Sequence, residues 1–257
     1  MKFTVITVVK NNNKEISKTI NSVKRQSFKN FEYIIVDGKS NDGTSETIKK
    51  NLINYKKYKH IIKKDRNLYQ ALNYGIKLSK GKYIIILHAG DIFWNSKTLK
   101  IIDESIADND AISGNVFYQN KNKLTRVWNY PLKKLNKYNC FKVAHTALII
   151  KKNIIKRLKY YNTDYKISSD TDFIFKLSLI KKLKYKYINK TFTIMTVGGL
   201  SNSYKNYFRK ISEDLEIYYK NFKINFFLFY LLKLIYKFFK LIKKKIYLKK
   251  NIIRNCW

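Results

Sequence analysis

The sequence predicts an α/β fold in which one mostly parallel sheet carries helices on both faces. Apolar, β-branched runs of strand length recur at residues 3–9, 31–36 and 83–87. Between them lie segments whose apolar residues fall at helical spacing, such as Ile16, Ile20 and Val23, then Leu68, Leu72 and Ile76. That alternation is the pattern of βαβ units, and uninterrupted apolar strands are those covered on both faces. With 257 residues and 45% hydrophobic content, the chain can bury one sizeable core, which excludes a disordered protein.

Residues 3–9 open the chain as a strand, followed by polar Lys10 to Asn13 and a helix carrying Ile16, Ile20 and Val23. Phe31 to Val36 is a second strand ending at Asp37, and Gly38 to Thr44 is turn chemistry. Asp42 or Thr44 can cap the next helix, which runs to about Leu52. His60 to Lys63 reads as a third strand, Leu68 to Ile76 as a helix closed near Gly81, and Tyr83 to Leu87 as a central strand. Beyond residue 100 the pattern predicts a helix near 97–107, strands near 110–118 and 144–151, and a helix near 170–183. Near Tyr204 the composition turns aromatic and lysine-rich.

In doubly wound sheets ligands lie beyond the carboxyl ends of the strands. That rule gathers Lys10–Asn13, Asp37–Ser40 and His88–Asp91 at one edge. Asp37 and Asp91 each end an apolar strand there, where a carboxylate can bind a base, a ribose or a hard cation, or can simply cap the following turn.

The balance of 54 Lys+Arg against 17 Asp+Glu gives a formal charge of +37. Two readings stand: attraction to a polyanion, or the Lys, Asn and Ile bias of an AT-rich genome. No nucleic-acid-reading element accompanies the charge, so a specific nucleic-acid partner is not expected. Two distant cysteines, Cys140 and Cys256, and the absence of a secretory pattern at the start lead us to expect a reducing, cytoplasmic setting.

The ordered motifs Ile20-Asn21-Ser22-Val23 with Gln26, Ile34 to Thr44, Asp65 to Gly75, Gly81 to Ile84 and His88 to Asp91 resemble family 2 glycosyltransferases. The subgroup they resemble builds capsule, O-antigen or exopolysaccharide. The resemblance implies a GT-A, Rossmann-like domain over residues 1–205. Its nucleotide-sugar half spans about 1–95 and its acceptor half about 96–205. Residues 206–257 would form a separate basic, aromatic helical segment.

By the same resemblance, Asp37 contacts the nucleotide base, with Thr7, Asn11, Lys39, Ser40, Asp65, Asn73 and Gly90 around the nucleotide sugar. Asp91 is the last acidic residue of the DXD-type motif that holds Mn²⁺ or Mg²⁺ on the diphosphate. Asp170 is the general base, with Asp172 as the second candidate, and His145 lies in the acceptor region. The implied activity is metal-dependent, inverting transfer from a nucleoside diphosphate sugar, UDP by family frequency, to a saccharide or lipid-linked saccharide. Three departures stand out: His88 occupies the first acidic position of the DXD-type motif, Asn67 and Gln70 replace Gly and Asp, and Lys63 replaces Glu. A membrane scaffold with this fold and no catalysis is the alternative they leave open, and a basic nucleic-acid-binding protein is the alternative from the charge. His145 and Asp170 also have plain readings, as a core histidine and a helix cap.

In the tail, Lys233, Lys237, Lys240 and Lys244 form one stripe down a helix otherwise filled by Phe, Leu, Ile and Tyr. The longest uncharged run there, Ile224 to Leu232, is far shorter than the roughly 20 residues that span a bilayer. An in-plane helix on an anionic membrane, at its cytoplasmic face, is the expectation; a helix packed on the catalytic domain is the alternative.

Overall fold

A computed structural model describes residues 1–120, 123–197, 204–222, 230–231 and 234–235. In chain order the elements are β1 (Phe3–Val9), α1 (Asn13–Lys24), β2 (Phe31–Asp37), α2 (Thr44–Leu52), β3 (Tyr58–Ile62), α3 (Leu68–Leu78), β4 (Tyr83–Ile86) and β5 (Ile92–Phe93). There follow α4 (Thr98–Ile106), β6 (Ala111–Asn120), β7 (Lys123–Trp128), β8 (Leu148–Lys151), α5 (Lys152–Arg157), α6 (Ser169–Ser178), β9 (Tyr185–Thr196) and α7 (Tyr204–Phe222).

Among the described residues nine strands form one sheet in the order β3-β2-β1-β4-β8-β6-β9-β5, with β7 on β6. The pairings β3-β2-β1-β4 are all parallel. β8 runs against β4 and β6, and β6 lies parallel to β9. The chain therefore winds outward from β1 to β3, then returns to β4 on the other side of β1. This reversal opens a crevice at the carboxyl ends of β1 and β4.

Every residue of β1, β2 and β4 is buried, because helices cover both faces. Strand side chains alternate between faces. Phe3, Val5 and Val9 pack with Ile16, Ile20, Ile48, Leu99 and Ile102 of α1, α2 and α4. Ile6 and Val8 pack with Leu72, Ile76, Phe173 and Leu177 of α3 and α6. Each such side chain taken from water contributes about 1.5–3 kcal/mol.

A carboxylate inside this core is paired. Glu32, 5% exposed, accepts from the Thr4 hydroxyl at 2.8 Å and from the Gly81 amide at 3.2 Å. A β-carbon on Gly81 would lie 2.5 Å from the backbone of Phe3 and Thr4, so only glycine lets the chain enter β4 against β1.

Three stretches differ from the sequence expectation. Residues 145–147 form a 3₁₀ turn, and β8 starts at Leu148. α6 ends at Ser178, where Leu179 and Ile180 close the last turn with backbone bonds to Lys176 and Leu177. β9 was not anticipated: Lys186, Asn189 and Lys190 interrupt its apolar residues, and its register on β6 shifts between Ser113 and Val116. α7 lies against α6, burying Asp214, Ile217 and Tyr218. Phe222 at its end meets the rings of Phe175 and Tyr138. The tail lysines 233, 237, 240 and 244 lie outside the described residues, as do residues 198–201.

Candidate active site

The loops after β1, β2 and β4 meet at the carboxyl edge through direct bonds. The Asn11 amide donates to Ser40 Oγ at 2.9 Å and the Asn41 amide to Asn11 Oδ1 at 3.0 Å. Asn12 spans the other two loops, its amide donating to Thr44 Oγ1 at 2.9 Å and its Nδ2 to the Ala89 carbonyl at 3.1 Å. Asn11 and Lys39 both adopt left-handed backbone, φ 51° and 60°. Strained positions of this kind concentrate at ligand-binding loops.

Most carboxylates and amides on this edge are occupied by the protein itself. Asp37, fully buried, accepts from the Ser40 amide and hydroxyl at 2.9 and 2.7 Å, and from the Ser45 hydroxyl. It therefore builds the Gly38–Gly43 loop. His60 Nε2 stands 3.7 Å from it, and burial holds that imidazole's pKa down against the pull of Asp37. Thr7 bridges strands: its hydroxyl donates to the Leu87 carbonyl at 2.7 Å and accepts from Tyr33 at 3.0 Å. Asn73 clasps the backbone of Tyr161, donating to its carbonyl at 2.7 Å and accepting from its amide at 3.0 Å. Asp65 differs. Lys63 Nζ is 3.4 Å from its Oδ1, while its buried Oδ2 has no hydrogen-bond partner among the described residues. A carboxylate oxygen in that state can accept an N–H or O–H bond.

Asp91 lies across the crevice. Gly90, at φ 99°, makes the tight turn that returns the chain over the sheet, a conformation that glycine adopts at little cost. The turn is held by Asp91 N–H to the His88 carbonyl (2.9 Å), Gly90 N–H to Thr19 Oγ1 (2.9 Å) and Thr196 Oγ1 to the Gly90 carbonyl (2.7 Å). Asp91 is 5% exposed, and among the described residues its carboxylate accepts one bond, from the Thr196 amide at 3.3 Å. Burial pushes its carboxyl up to about 8, only partly offset by that amide, and no cation among the described residues relieves it.

The second group comes from α3, α6 and the 3₁₀ turn before β8. Asp170, in the first turn of α6, accepts from the Thr171 amide at 2.8 Å and from Tyr69 Oη at 3.4 Å. Asp172 is paired with Lys176 Nζ at 2.6 Å, which leaves Asp170 as the accessible carboxylate of the pair. His145 Nε2 is 2.9 Å from Tyr161 Oη, and the His145 ring stands 5.8 Å from that of His88. Burial, then the neighbouring His145, pull His88 down to about 3, and burial lowers His145, so both imidazoles are neutral. Burial raises Tyr69 and Tyr161 well above the ordinary phenol value, with Asp170 adding to it. Tyr118 feels both Asp91 and Asp170 and carries Arg126 over its ring at 3.9 Å. Tyr69 lies within the Asp65 to Gly75 motif but was not singled out, and Tyr118, Tyr161 and Arg126 carried no signal in the sequence; a chain with 21 tyrosines conceals the few at a site.

Among the described residues no three His, Cys, Asp or Glu side chains group to cage a metal. One buried, uncompensated carboxylate fits a divalent ion that draws its other ligands from a diphosphate and water. His88 adds an imidazole whose sealed Nδ1 lacks a hydrogen-bond partner among the described residues, though nitrogen suits softer ions better than Mg²⁺.

The Asp91 shift has a measurable consequence. Between its ordinary value of 3.8 and about 8, the folded protein holds a proton that the unfolded chain releases. Stability then falls as pH rises through that window. With EDTA present, Asp91→Asn should be more stable than wild type, by a margin that grows from about pH 4 to about pH 8 and then levels. Thermal unfolding at stepped pH measures it; a pH-independent margin would contradict the shift.

The profile described as glycosyl transferase family 2 matches residues 4–150, more than half of the chain. An uncharacterized glycosyltransferase of Methanocaldococcus jannaschii is 30% identical over 194 residues, covering 68% of this chain and 66% of that protein. A PGL/p-HBAD biosynthesis glycosyltransferase of Mycobacterium bovis is 26% identical over 195 residues, 72% of this chain and 73% of its own length. Staphylococcus aureus TarS 1–349 in complex with UDP-GlcNAc superposes with a TM-score of 0.68 at 19% identity, over 85% of this chain and 67% of that one. The mannosyltransferase PcManGT of Pyrobaculum calidifontis, in complex with GDP-Man and Mn²⁺, gives 0.64 at 16%, over 86% and 64%. Likeness at such identities speaks to the fold. This chain spans 66% of the archaeal relative and 64% of a further TarS 1–349 structure. The matched profile, the relatives and the GT-A-type sheet agree: this chain belongs to glycosyl transferase family 2.

Proposed function

We propose that the protein transfers a sugar from a nucleoside diphosphate sugar to an acceptor hydroxyl, by a single displacement that inverts the anomeric centre. The observation that carries this reading is Asp91: a carboxylate buried without a protein cation just after β4, with Tyr118 feeling the charge of both it and Asp170. Asp170 takes the proton of the acceptor hydroxyl as that oxygen attacks the anomeric carbon. The bond from that carbon to the diphosphate oxygen breaks, and its electron pair leaves with the nucleoside diphosphate. Asp91, with His88 as a further candidate ligand, would hold Mn²⁺ or Mg²⁺. The ion would neutralise charge on the leaving diphosphate. The neutral His145 and Tyr161 pair, beside Asp170, can hydrogen-bond a sugar hydroxyl without adding charge. Asp65 Oδ2 and the loop built on Asp37 would take the base and ribose.

UDP-GlcNAc bound to TarS and GDP-Man bound to PcManGT favour a nucleotide-sugar donor here, UDP first. The acceptor fits a growing surface polysaccharide or a lipid-linked saccharide. Release of nucleoside diphosphate from a panel of UDP-, GDP- and dTDP-sugars tests the reading; product of retained configuration would overturn the single displacement.

A cytoplasmic protein bound peripherally to the inner membrane face accords with the lysine stripe of the tail. It also accords with exposed Tyr207, Phe208 and Tyr219 on α7. Among the described residues no helix is long and apolar enough to cross a membrane. Changing Lys233, Lys237, Lys240 and Lys244 to Glu leaves the Phe222 packing intact. It should abolish flotation with phosphatidylglycerol vesicles; flotation equal to wild type would contradict membrane attachment.

A further inference from the structure

Glu213 sits on α7, outside the crevice, yet its carboxylate gathers three successive backbone amides. Oε1 accepts from Lys166 N–H at 2.9 Å, and Oε2 accepts from Ile167 and Ser168 N–H at 2.9 and 2.8 Å. Ser168 is the N-cap of α6, and Asp170 follows two residues later. The same segment is tied to α7 on both sides of this bond set. Ser168 Oγ donates to the Lys210 carbonyl at 3.5 Å, and Tyr165 Oη donates to Glu216 at 3.4 Å. From the opposite side Tyr69 Oη donates to the Ile167 carbonyl at 2.6 Å and reaches Asp170 Oδ1 at 3.4 Å.

An ionised carboxylate receiving several N–H bonds is among the stronger polar anchors available to a loop. Here it is spent on a segment with no other regular structure, directly before the residue assigned to take the acceptor proton. Removing it leaves three N–H groups without their acceptor and frees the start of α6 to shift. A displacement of about 1 Å at a reacting group can cost about 100-fold in rate.

We propose that Glu213 is a positioning residue for Asp170, fixing Lys166–Ser168 so that the α6 carboxylate stays aligned with the acceptor hydroxyl. α7 then belongs to the catalytic apparatus rather than to the tail that follows it. The proposal rests on the reading of Asp170 as the base.

The test uses the full chain, Glu213→Gln and Glu213→Asp, alone and with Asp170→Asn. Two readouts are combined: hydrogen exchange at residues 165–172, and nucleoside diphosphate release from whichever UDP-, GDP- or dTDP-sugar wild type hydrolyses fastest. In E213Q the amides of residues 166–168 should exchange faster. Its kcat should fall about 10- to 100-fold, with donor KM within about twofold of wild type. E213D, which keeps the charge, should recover most of the loss. In the D170N background E213Q should cost nothing more, as expected of two residues acting as one unit.

Loop exchange unchanged in E213Q overturns the proposal whatever the turnover. So does an E213Q loss that multiplies in full onto D170N, or one in which KM rises with the fall in kcat and E213D gives no rescue. If D170N turns over at the wild-type rate, the base assignment itself fails. If D170N is slow and E213Q is not, only the positioning role fails.

Discussion

Asp91→Ala should release nucleoside diphosphate at least about 10²–10³ times more slowly than wild type, the effect of losing one group that stabilises transition-state charge. The physical basis is the contrast between the site with and without a cation. Alone, the Asp91 carboxyl is pushed up to about 8 by burial, so ionising it without a cation beside it is costly. A divalent ion reverses that balance, because a metal ligand must be deprotonated and the ion supplies the missing charge. Alanine removes the ligand without leaving a buried charge unpaired, so the variant should fold. The Gly90 turn remains supported by Thr19 and Thr196 bonds that involve backbone atoms only at the turn. The lost rate therefore reads as lost chemistry. Donor affinity in the presence of Mn²⁺ should fall with the rate. Wild-type turnover in Asp91→Ala would remove Asp91 from the site.

Asp170→Asn should lower kcat by about 10²–10⁴-fold, the range over which a positioned general base acts. Donor binding should stay within about twofold of wild type, since the interaction lost belongs to the transition state. Asparagine preserves the volume and can still accept from the Thr171 amide, now at 2.8 Å, so α6 keeps its first turn. Asp172 cannot substitute readily, because Lys176 Nζ holds it at 2.6 Å and the side chain is 8% exposed. Single-turnover rates against calorimetric donor affinity separate the two quantities. A loss confined to donor affinity would assign Asp170 to binding instead.

The first half of the fold was legible because its strands are buried on both faces. Runs such as Phe3–Val9 and Tyr83–Ile86 have no polar alternation to confuse them, and α1 and α3 between them show helical spacing. The meeting of three loops at one edge followed from parallel winding alone, and the Asn11, Asn12 and Ser40 bonds show how closely they meet. The second half depends on long-range pairing. β9 is recognisable only beside β6, and it supplies the Thr196 amide that touches Asp91 from 105 residues away.

Individual side chains were less legible than their neighbourhoods. Thr7 and Asn73, read as nucleotide-sugar contacts, also bridge the fold internally, and Asp37 also anchors its own loop. Sequence position puts such residues at the edge but does not reveal which hydrogen bonds the fold has already taken. Glu213 was invisible for a related reason: in a segment dominated by lysine and aromatic residues, its three amide partners arrive from a loop 45 to 47 residues earlier.

The most direct test of the central claim is nucleoside diphosphate release by wild type and Asp91→Ala from UDP-, GDP- and dTDP-sugars, with Mn²⁺ or with EDTA. The account predicts release from one donor that needs the metal and disappears in the variant. Equal release with EDTA, or from Asp91→Ala, would contradict the metal-assisted site at Asp91. No release and no calorimetric donor binding by wild type would contradict the glycosyl-transfer reading altogether.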